Sequence, residues 1–175
     1  MAKAVDAALV PYREAHPDAR WTTPDALHLT LLFLGSVDPA QADRLAAVAR
    51  DVATRARPFE VRTGAASGTL RAADGVAWLR LGVGAREAAL LSDALAERIP
   101  SAAVAGDRAA RRAPAAHLTV ARKATQALLD DLAADRHGPV GATWSADRIV
   151  LMRSHLGSER ARYGTLAMTR LGEPA

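Results

Sequence analysis

The stretch LHLTLLFLG at residues 27–35 is echoed by HLTVA at residues 117–121. Both stretches are short and apolar, and a glycine closes the first. A run of this length bounded by turn residues is consistent with a largely buried strand. The sequence therefore predicts two strands that carry the same His-Leu-Thr motif.

Side chains alternate between the two faces of a strand. His28 and Thr30 are therefore expected on one side of their strand, with leucines on the other. The same parity places His117 beside Thr119, opposite Leu118. Each motif thus predicts an imidazole next to a hydroxyl, backed by an apolar face that packs on helices.

The elements that follow each motif repeat in the order helix, strand, strand. Helical spacing of apolar residues predicts helices over residues 2–15 and 86–99, and two more that begin at the caps Asp38 and Thr125. Strands are predicted over residues 59–63, 76–83, 147–153 and 162–171, with loops over 64–75 and 101–116. This weak internal repeat predicts a two-lobed α+β molecule with a site in the groove between the lobes.

The composition bounds the class of protein. A chain of 175 residues, half of them apolar, fits one domain or two small lobes that share a core. The absence of cysteine excludes disulfides and thiolate metal sites. No apolar stretch approaches the roughly 20 residues that span a bilayer, and no signal-peptide pattern is found, so a cytoplasmic location is predicted. The net charge of +4 favours phosphate-bearing partners, although an Arg- and Ala-rich composition explains it equally well.

The two motifs together supply what the hydrolysis of a phosphodiester needs. A base takes a proton from water, an acid protonates the leaving oxygen, and hydroxyl donors bind the non-bridging oxygens. A single His-x-Thr is common by chance, so this interpretation depends on the two copies at equivalent positions. The other histidines, His16, His137 and His155, lie in turns or connections and are predicted to be surface residues.

A metal centre and a nucleotide-binding loop are not predicted. The sequence has no closely spaced histidine pair and no clustered set of histidines and carboxylates, and threonine is a poor zinc ligand. His28 and His117 could still meet at a metal ion, but no cofactor is expected. A Gly-x-x-x-x-Gly-Lys-Ser/Thr loop is also absent from the sequence.

Residues 20–35, RWTTPDALHLTLLFLG, resemble the first motif of the two-histidine phosphoesterases. Within that superfamily the likeness is to the bacterial RNA 2′,3′-cyclic phosphodiesterases, also called 2′-5′ RNA ligases. Residues 117–122 are similar to their second motif, and residues 151–157 with 162–163 are similar to their tail. The resemblance runs from about residue 20 to the C-terminus.

The resemblance implies one two-lobed phosphoesterase domain over residues 1–175. Its fold would be α+β and bilobal, with two pseudo-symmetric β-sheet lobes, helices on the outer faces and a central cleft. The activity implied is the metal-independent hydrolysis of a 2′,3′-cyclic phosphate to a 2′-phosphate. The implied substrate is an RNA with that end, tRNA fragments among the candidates, with no membrane partner and no obligatory protein partner.

The resemblance also implies a role for each site residue. His28 would be the general acid that protonates the departing 3′ oxygen, and His117 the general base that activates water. Thr30 and Thr119 would bind phosphate oxygens, and Arg122 would assist at the phosphate. Simple alternation places Arg122 on the core side of its strand, so this last role requires the strand to bend or end one residue earlier.

The chain departs from the family pattern at two places. Family members usually begin with a strand of the type Arg-Leu-Phe-x-Ala-x, and here the first predicted helix follows Met1 almost directly. The N-terminal family strand is therefore expected to be missing. Residues 114–116, Pro-Ala-Ala, also stand where the family usually has proline directly before histidine.

Three other functions are compatible with the same residues. Reversible 2′-5′ RNA ligation would use both motifs in either direction. A related phosphoesterase would act on a small cyclic nucleotide. A non-catalytic RNA-binding module is the third, but it would be expected to have lost a histidine or threonine, and both motifs are intact.

Overall fold

The helices form where apolar residues recur three or four positions apart, and the strands form where they alternate or run together. A computed structural model describes residues 2–69, 75–99, 111–112, 115–156 and 161–173. Its α-helices are α1 (Ala2–Ala15), α2 (Ala42–Arg55), α3 (Ala85–Arg98) and α4 (Gln126–Ala133). Its strands are β1 (Arg20–Trp21), β2 (Leu32–Phe33), β3 (Phe59–Thr69), β4 (Val76–Leu81), β5 (Arg111–Arg112), β6 (His117–Arg122), β7 (Thr143–Ala146), β8 (Arg148–Leu156) and β9 (Ala161–Arg170).

The two predicted helix caps are confirmed. The Thr125 side chain accepts a hydrogen bond from the Leu128 N–H, 3.2 Å away, at the start of α4. The Asp38 carboxylate accepts one from the Ala40 N–H at 2.9 Å. There it caps the 3₁₀ turn Pro39–Gln41, and α2 begins directly after that turn. Each cap satisfies an N–H group that the first turn of a helix leaves without a partner.

The chain divides into two compact units, each assembled from three separate segments. The first unit comprises Met1–Thr30, Glu60–Ala85 and Ala115–Ser145. It holds a five-stranded sheet in the order β1-β6-β4-β3-β7, in which β1–β6, β6–β4 and β4–β3 are antiparallel. One face of this sheet packs on α1 and α4 through the buried side chains Val5, Leu9, Tyr12, Leu79, Leu118, Val120, Leu128 and Leu132.

The second unit comprises Leu31–Phe59, Arg86–Pro114 and Ala146–Ala175. β8 and β9 form an antiparallel hairpin from Arg148↔Arg170 to Leu156↔Ala161, and β2 pairs with β5. Its main core consists of residues of α2, α3 and β8 together with the residue that follows β9, namely Val52, Ala53, Leu91, Leu95, Ile149 and Leu171. The Ser92 hydroxyl donates a 2.6 Å hydrogen bond to the Leu31 carbonyl and so ties α3 to the segment before β2.

The predicted continuous strand over residues 27–34 is wrong. Leu29 forms only a single bridge, and β2 is restricted to residues 32–33. The reason is that different residues of this apolar run pack in two different cores. Leu29 packs in the core of the first unit, and Leu31 and Leu32 pack in that of the second. An apolar run does not reveal where the chain changes its packing partner.

Two predicted loops are shorter in the structure. β3 continues to Thr69, and β5 forms within the predicted loop 101–116. Residues 70–74, 101–110 and 113–114 of these loops lie outside the described residues.

The predicted α+β fold class is confirmed by the helices and antiparallel sheets, whereas the pseudo-symmetric lobes around a cleft stay a prediction. None of the described helices has the length and apolar character needed to cross a bilayer.

Candidate active site

Both His-Leu-Thr motifs lie in the first unit, although they are far apart in the sequence. Their central residues, Leu29 and Leu118, form an antiparallel bridge. Leu118 is completely buried, and Leu29 packs against the same core. The packing of these two leucines in one core therefore holds the two motifs side by side.

This bridge is a single pair, between Leu29 and Leu118. Continued by one residue in each direction, its register would pair His28 with Thr119 and Thr30 with His117. Residues opposite one another in such a pair share a face, with Cβ atoms about 4.5–5.5 Å apart. Because the two bridging leucines face the core, the four polar side chains face away from it, and all four are half-buried. An antiparallel pair has a local two-fold axis, which here exchanges one motif for the other.

The two imidazoles are held in the same way. The Nδ1 of His28 is 2.8 Å from the carbonyl oxygen of Ala26, and the Nδ1 of His117 is 2.7 Å from that of Ala115. In both cases the partner lies two residues earlier in the chain. A carbonyl oxygen only accepts, so each Nδ1 carries a proton and donates it. In the neutral form of each ring, Nε2 is then the acceptor nitrogen.

Arg122 reaches the polar face of the sheet because β6 is bulged. Between Thr119 and Ala121, β6 has one residue more than the facing stretch of β4. Val120 and Ala121 are therefore both buried, and Arg122 is exposed. The bulge reverses the alternation, which places Arg122 on the same face as His117. The bend that its predicted role requires is thus present.

Sequence reasoning missed three further side chains on this face. Arg80 lies opposite His117 in the register of β4 and β6, and Arg20 lies opposite Arg122. The Trp78 ring lies beside the His117 ring, with centroids 5.5 Å apart. Alternation along β4 could have separated Trp78 and Arg80 from the buried positions, but no local signal reveals the neighbouring strand. The result is a basic, partly aromatic face around the two motifs.

His16 and His137, which were predicted to be surface residues, are half-buried in the structure. Among the described residues, their side chains are only 15% and 31% exposed, and both meet Asp131. His16 Nε2 lies 2.9 Å from Asp131 Oδ2, which lowers the pKa of that carboxyl group, with a further contribution from Arg136. The sequence itself contains no clustered set of histidines and carboxylates, but the fold brings these three residues together. The contact joins residues that are distant in the sequence, whereas His155 is exposed as predicted.

Comparison with known proteins identifies the family. The sequence model of the 2'-5' RNA ligase superfamily matches residues 3–158 of this chain. Among solved structures, the Thermus thermophilus protein TT0787 is similar, with a TM-score of 0.72 and 21% identity over 98% of this chain and 93% of that one. E. coli LigT complexed with NADP+ has a TM-score of 0.71 and 22% identity over 97% and 92%. E. coli LigT complexed with 3′-AMP has a TM-score of 0.69 and 25% identity over 97% and 91%. No curated protein sequence gives a significant match.

The fold is therefore that of the LigT-like two-histidine phosphoesterases. The family match covers most of the chain and includes both His-x-Thr motifs. The chain belongs to the 2′-5′ RNA ligase superfamily.

Proposed function

We propose that the protein hydrolyses the 2′,3′-cyclic phosphate at an RNA end to a 2′-phosphate, without a catalytic metal ion. One observation carries this proposal: the two imidazoles are oriented alike, each through Nδ1 to a carbonyl two residues earlier, in motifs joined by an antiparallel bridge. Each motif of such a pair contributes one imidazole whose Nδ1 is bonded to the backbone, so that Nε2 is the nitrogen proposed to exchange a proton with the substrate or water. An acid and a base on opposite sides of one phosphorus atom suit a displacement in which the attacking and leaving oxygens lie in line.

In the proposed reaction, Nε2 of His117 takes a proton from a water molecule, whose oxygen attacks the phosphorus. The bond from phosphorus to the 3′ oxygen breaks, and protonated Nε2 of His28 donates its proton to that oxygen. The products are a 2′-phosphate and a free 3′-hydroxyl group. The histidines end with exchanged protonation states, which solvent restores before the next turnover.

The hydroxyl groups and arginines are proposed to stabilise the charge on the phosphate. Thr30 and Thr119 flank the imidazoles and are assigned to the non-bridging oxygens, with Arg122 beside them. Donors aimed at developing charge in a partly buried site act more strongly than the same groups in water. Arg20 and Arg80 on the same face favour a polyanionic ligand such as RNA.

The substrate class rests on likeness as well as on charge. The structure of E. coli LigT has been solved in complex with 3′-AMP, a nucleotide whose phosphate is on the 3′ oxygen of the ribose. The Trp78 ring beside His117 offers an apolar surface next to the reacting group, and aromatic rings commonly stack on unpaired bases. A cytoplasmic RNA with a cyclic phosphate end is therefore the substrate we assign.

The test is incubation with a short RNA that ends in a 2′,3′-cyclic phosphate, in the presence of EDTA, followed by identification of the product. The proposal expects a 2′-phosphate at an undiminished rate. A 3′-phosphate product would contradict the assigned leaving oxygen, and loss of activity on chelation would contradict metal independence. If a cyclic mononucleotide is turned over equally well, the assigned substrate is a small nucleotide rather than RNA. If two RNAs are joined and none is hydrolysed, the assigned reaction is ligation rather than hydrolysis.

A second test separates the acid from the base. A substrate whose leaving group has a low pKa needs no protonation, so the His28→Ala enzyme should recover much of its lost rate with it. The His117→Ala enzyme should not recover, because water still has to be activated. Recovery in His117→Ala alone would reverse the two roles.

A third test concerns the hydroxyl groups. Thr30→Val and Thr119→Val keep the side-chain shape and remove a donor, which typically lowers the rate by about 10²–10³. Thr54→Val is a matched control, since its hydroxyl group bonds the Asp51 carbonyl within α2. A full rate in either motif variant would remove that threonine from the proposed mechanism.

A further inference from the structure

We propose that His16, Asp131 and His137 form a binding site for a divalent transition-metal ion, with zinc as the ion to test. The three residues belong to the first unit and take no part in the two His-x-Thr motifs. His16 directly follows α1, Asp131 lies in α4, and His137 lies in the connection between α4 and β7. The ion would join the end of α1 to the end of α4 and stabilise the fold rather than catalyse.

The distances between the ligand atoms suit such an ion. Nε2 of His16 lies 2.9 Å from Oδ2 of Asp131, and Nε2 of His137 lies 3.6 Å from the same oxygen. All three ligand atoms lie within 4.8 Å of one another. Ligands bonded to zinc at about 2.0–2.1 Å in a tetrahedron stand roughly 3.3 Å apart. The ion therefore requires only small side-chain rotations.

Tyr12 holds both histidine segments in place. Its hydroxyl group donates a 2.7 Å hydrogen bond to the Gly138 carbonyl and accepts one from the His137 N–H at 3.3 Å. Its ring also packs edge-on against the His137 ring, with centroids 5.1 Å apart. On the other side, the His16 N–H donates to the Tyr12 carbonyl at 2.9 Å, and Trp21 Nε1 donates to the His16 carbonyl at 3.1 Å. A site supported in this way loses little freedom when an ion binds.

The donor set favours a transition metal over calcium or magnesium. Two imidazole nitrogens with one carboxylate oxygen suit zinc, whereas the alkaline-earth ions prefer oxygen ligands alone. Arg136 Nε lies 2.6 Å from Oδ1 of Asp131, which leaves Oδ2 as the single coordinating oxygen. The three side chains are 15–31% exposed, so the ion can enter from solvent and complete its coordination with water.

The competing interpretation is a metal-free cluster in which Asp131 accepts a hydrogen bond from His16 and forms an ion pair with His137. This interpretation makes the same contacts and predicts no saturable binding of zinc. The two interpretations therefore differ in a single measurable property. Chelation separates the site from the proposed catalysis as well, because EDTA should lower thermal stability and leave turnover unchanged.

The experiment is a calorimetric titration of the EDTA-treated, desalted protein with zinc chloride, with the melting temperature measured in parallel. A His28→Ala/His117→Ala background removes the motif imidazoles as competing ligands. We expect one equivalent to bind. Zinc at 100 times its dissociation constant should raise the melting temperature by about 5–10 °C. The matched control is His155→Ala, which changes an exposed histidine of the second unit and should leave binding unaltered.

Changes to the three ligands decide the outcome. His16→Ala and His137→Ala should each lower zinc affinity at least tenfold, so that the same zinc concentration gives at most about half of the stabilisation. Asp131→Asn keeps the side-chain volume and removes the charged ligand, so it tests the site even if a histidine variant fails to fold. The proposal is overturned if the background protein binds no zinc, or if folded Asp131→Asn binds zinc as tightly as its parent.

Discussion

The hydroxyl group of Tyr12 offers a quantitative test of the core of the first unit. Tyr12→Phe keeps the completely buried ring and its edge-on contact with His137, and removes only one oxygen. That oxygen donates to the Gly138 carbonyl at 2.7 Å and accepts from the His137 N–H at 3.3 Å. The shorter bond dominates, and a buried partner left unsatisfied costs about 1–3 kcal/mol. We expect the melting temperature to fall by roughly 2–12 °C, as a chain of this length loses about 2–4 °C per kcal/mol.

The same variant should remove part of the alkaline instability of the protein. Burial raises the pKa of Tyr12 above its ordinary value of 10.0, although the hydrogen bond from the His137 N–H acts in the opposite direction. A raised folded-state pKa means that the contribution to stability is fully present below about pH 10 and is lost as the pH rises through the folded-state value. The difference in stability between wild type and Tyr12→Phe should therefore shrink at alkaline pH.

Thermal unfolding with EDTA present measures the fall in melting temperature, and urea unfolding at a series of pH values measures how the difference in stability depends on pH. Tyr163→Phe, which changes the only other tyrosine of the chain and lies in the second unit, is the control for the loss of a tyrosine hydroxyl group elsewhere. A Tyr12→Phe protein as stable as wild type at neutral pH would refute the hydrogen-bonding argument. A stability difference that persists unchanged at alkaline pH would refute the assignment of the titration to Tyr12.

Three further predictions concern single sites. Gly84→Ala should destabilise the protein by more than about 1 kcal/mol in urea unfolding, because Gly84 has φ +82° and an added Cβ would lie 2.6 Å from a backbone carbonyl; an unchanged midpoint would contradict this. The hydrogen bond from Arg148 lowers the pKa of Asp147, so Asp147→Asn should cost about 0.2–1 kcal/mol at neutral pH. That loss should disappear as the pH falls below the ordinary value of 3.8 and through the folded-state pKa, and a pH-independent loss would argue against the ion pair. Arg122→Gln should lower kcat/KM by at least about tenfold, whereas the exposed Arg44→Gln should not, and equal effects would indicate a general charge effect.

Local sequence patterns were sufficient to predict the helices and to select the histidines and threonines of the candidate site. The α1 helix has the predicted bounds because its apolar residues recur at helical spacing and a His-Pro pair stops it. The Thr125 and Asp38 caps were predictable because each acts within three residues. The two His-x-Thr motifs could be selected because the same residues recur in the same order. All of these signals are contained in short segments.

Contacts between distant segments were not predictable from the sequence. The bulge that turns Arg122 to the polar face depends on the pairing of β6 with β4, and alternation alone gave the opposite face. The meeting of His16 with Asp131 joins residues 115 positions apart. The two-residue strands β1, β2 and β5 are too short for any periodicity to identify them. Pairing partners, rather than propensities, determine these features.

The most direct test of the paired motifs is a double-mutant cycle on His28 and His117. The rate of cyclic phosphate hydrolysis is measured for wild type, His28→Ala, His117→Ala and the double variant, each with its fold checked by circular dichroism. If the two imidazoles act as one acid–base pair, each single change should lower the rate by about 10²–10⁴, and the double variant should be little slower than the slower single. A double variant whose loss equals the product of the two single losses, or a single variant at full rate, would contradict the account.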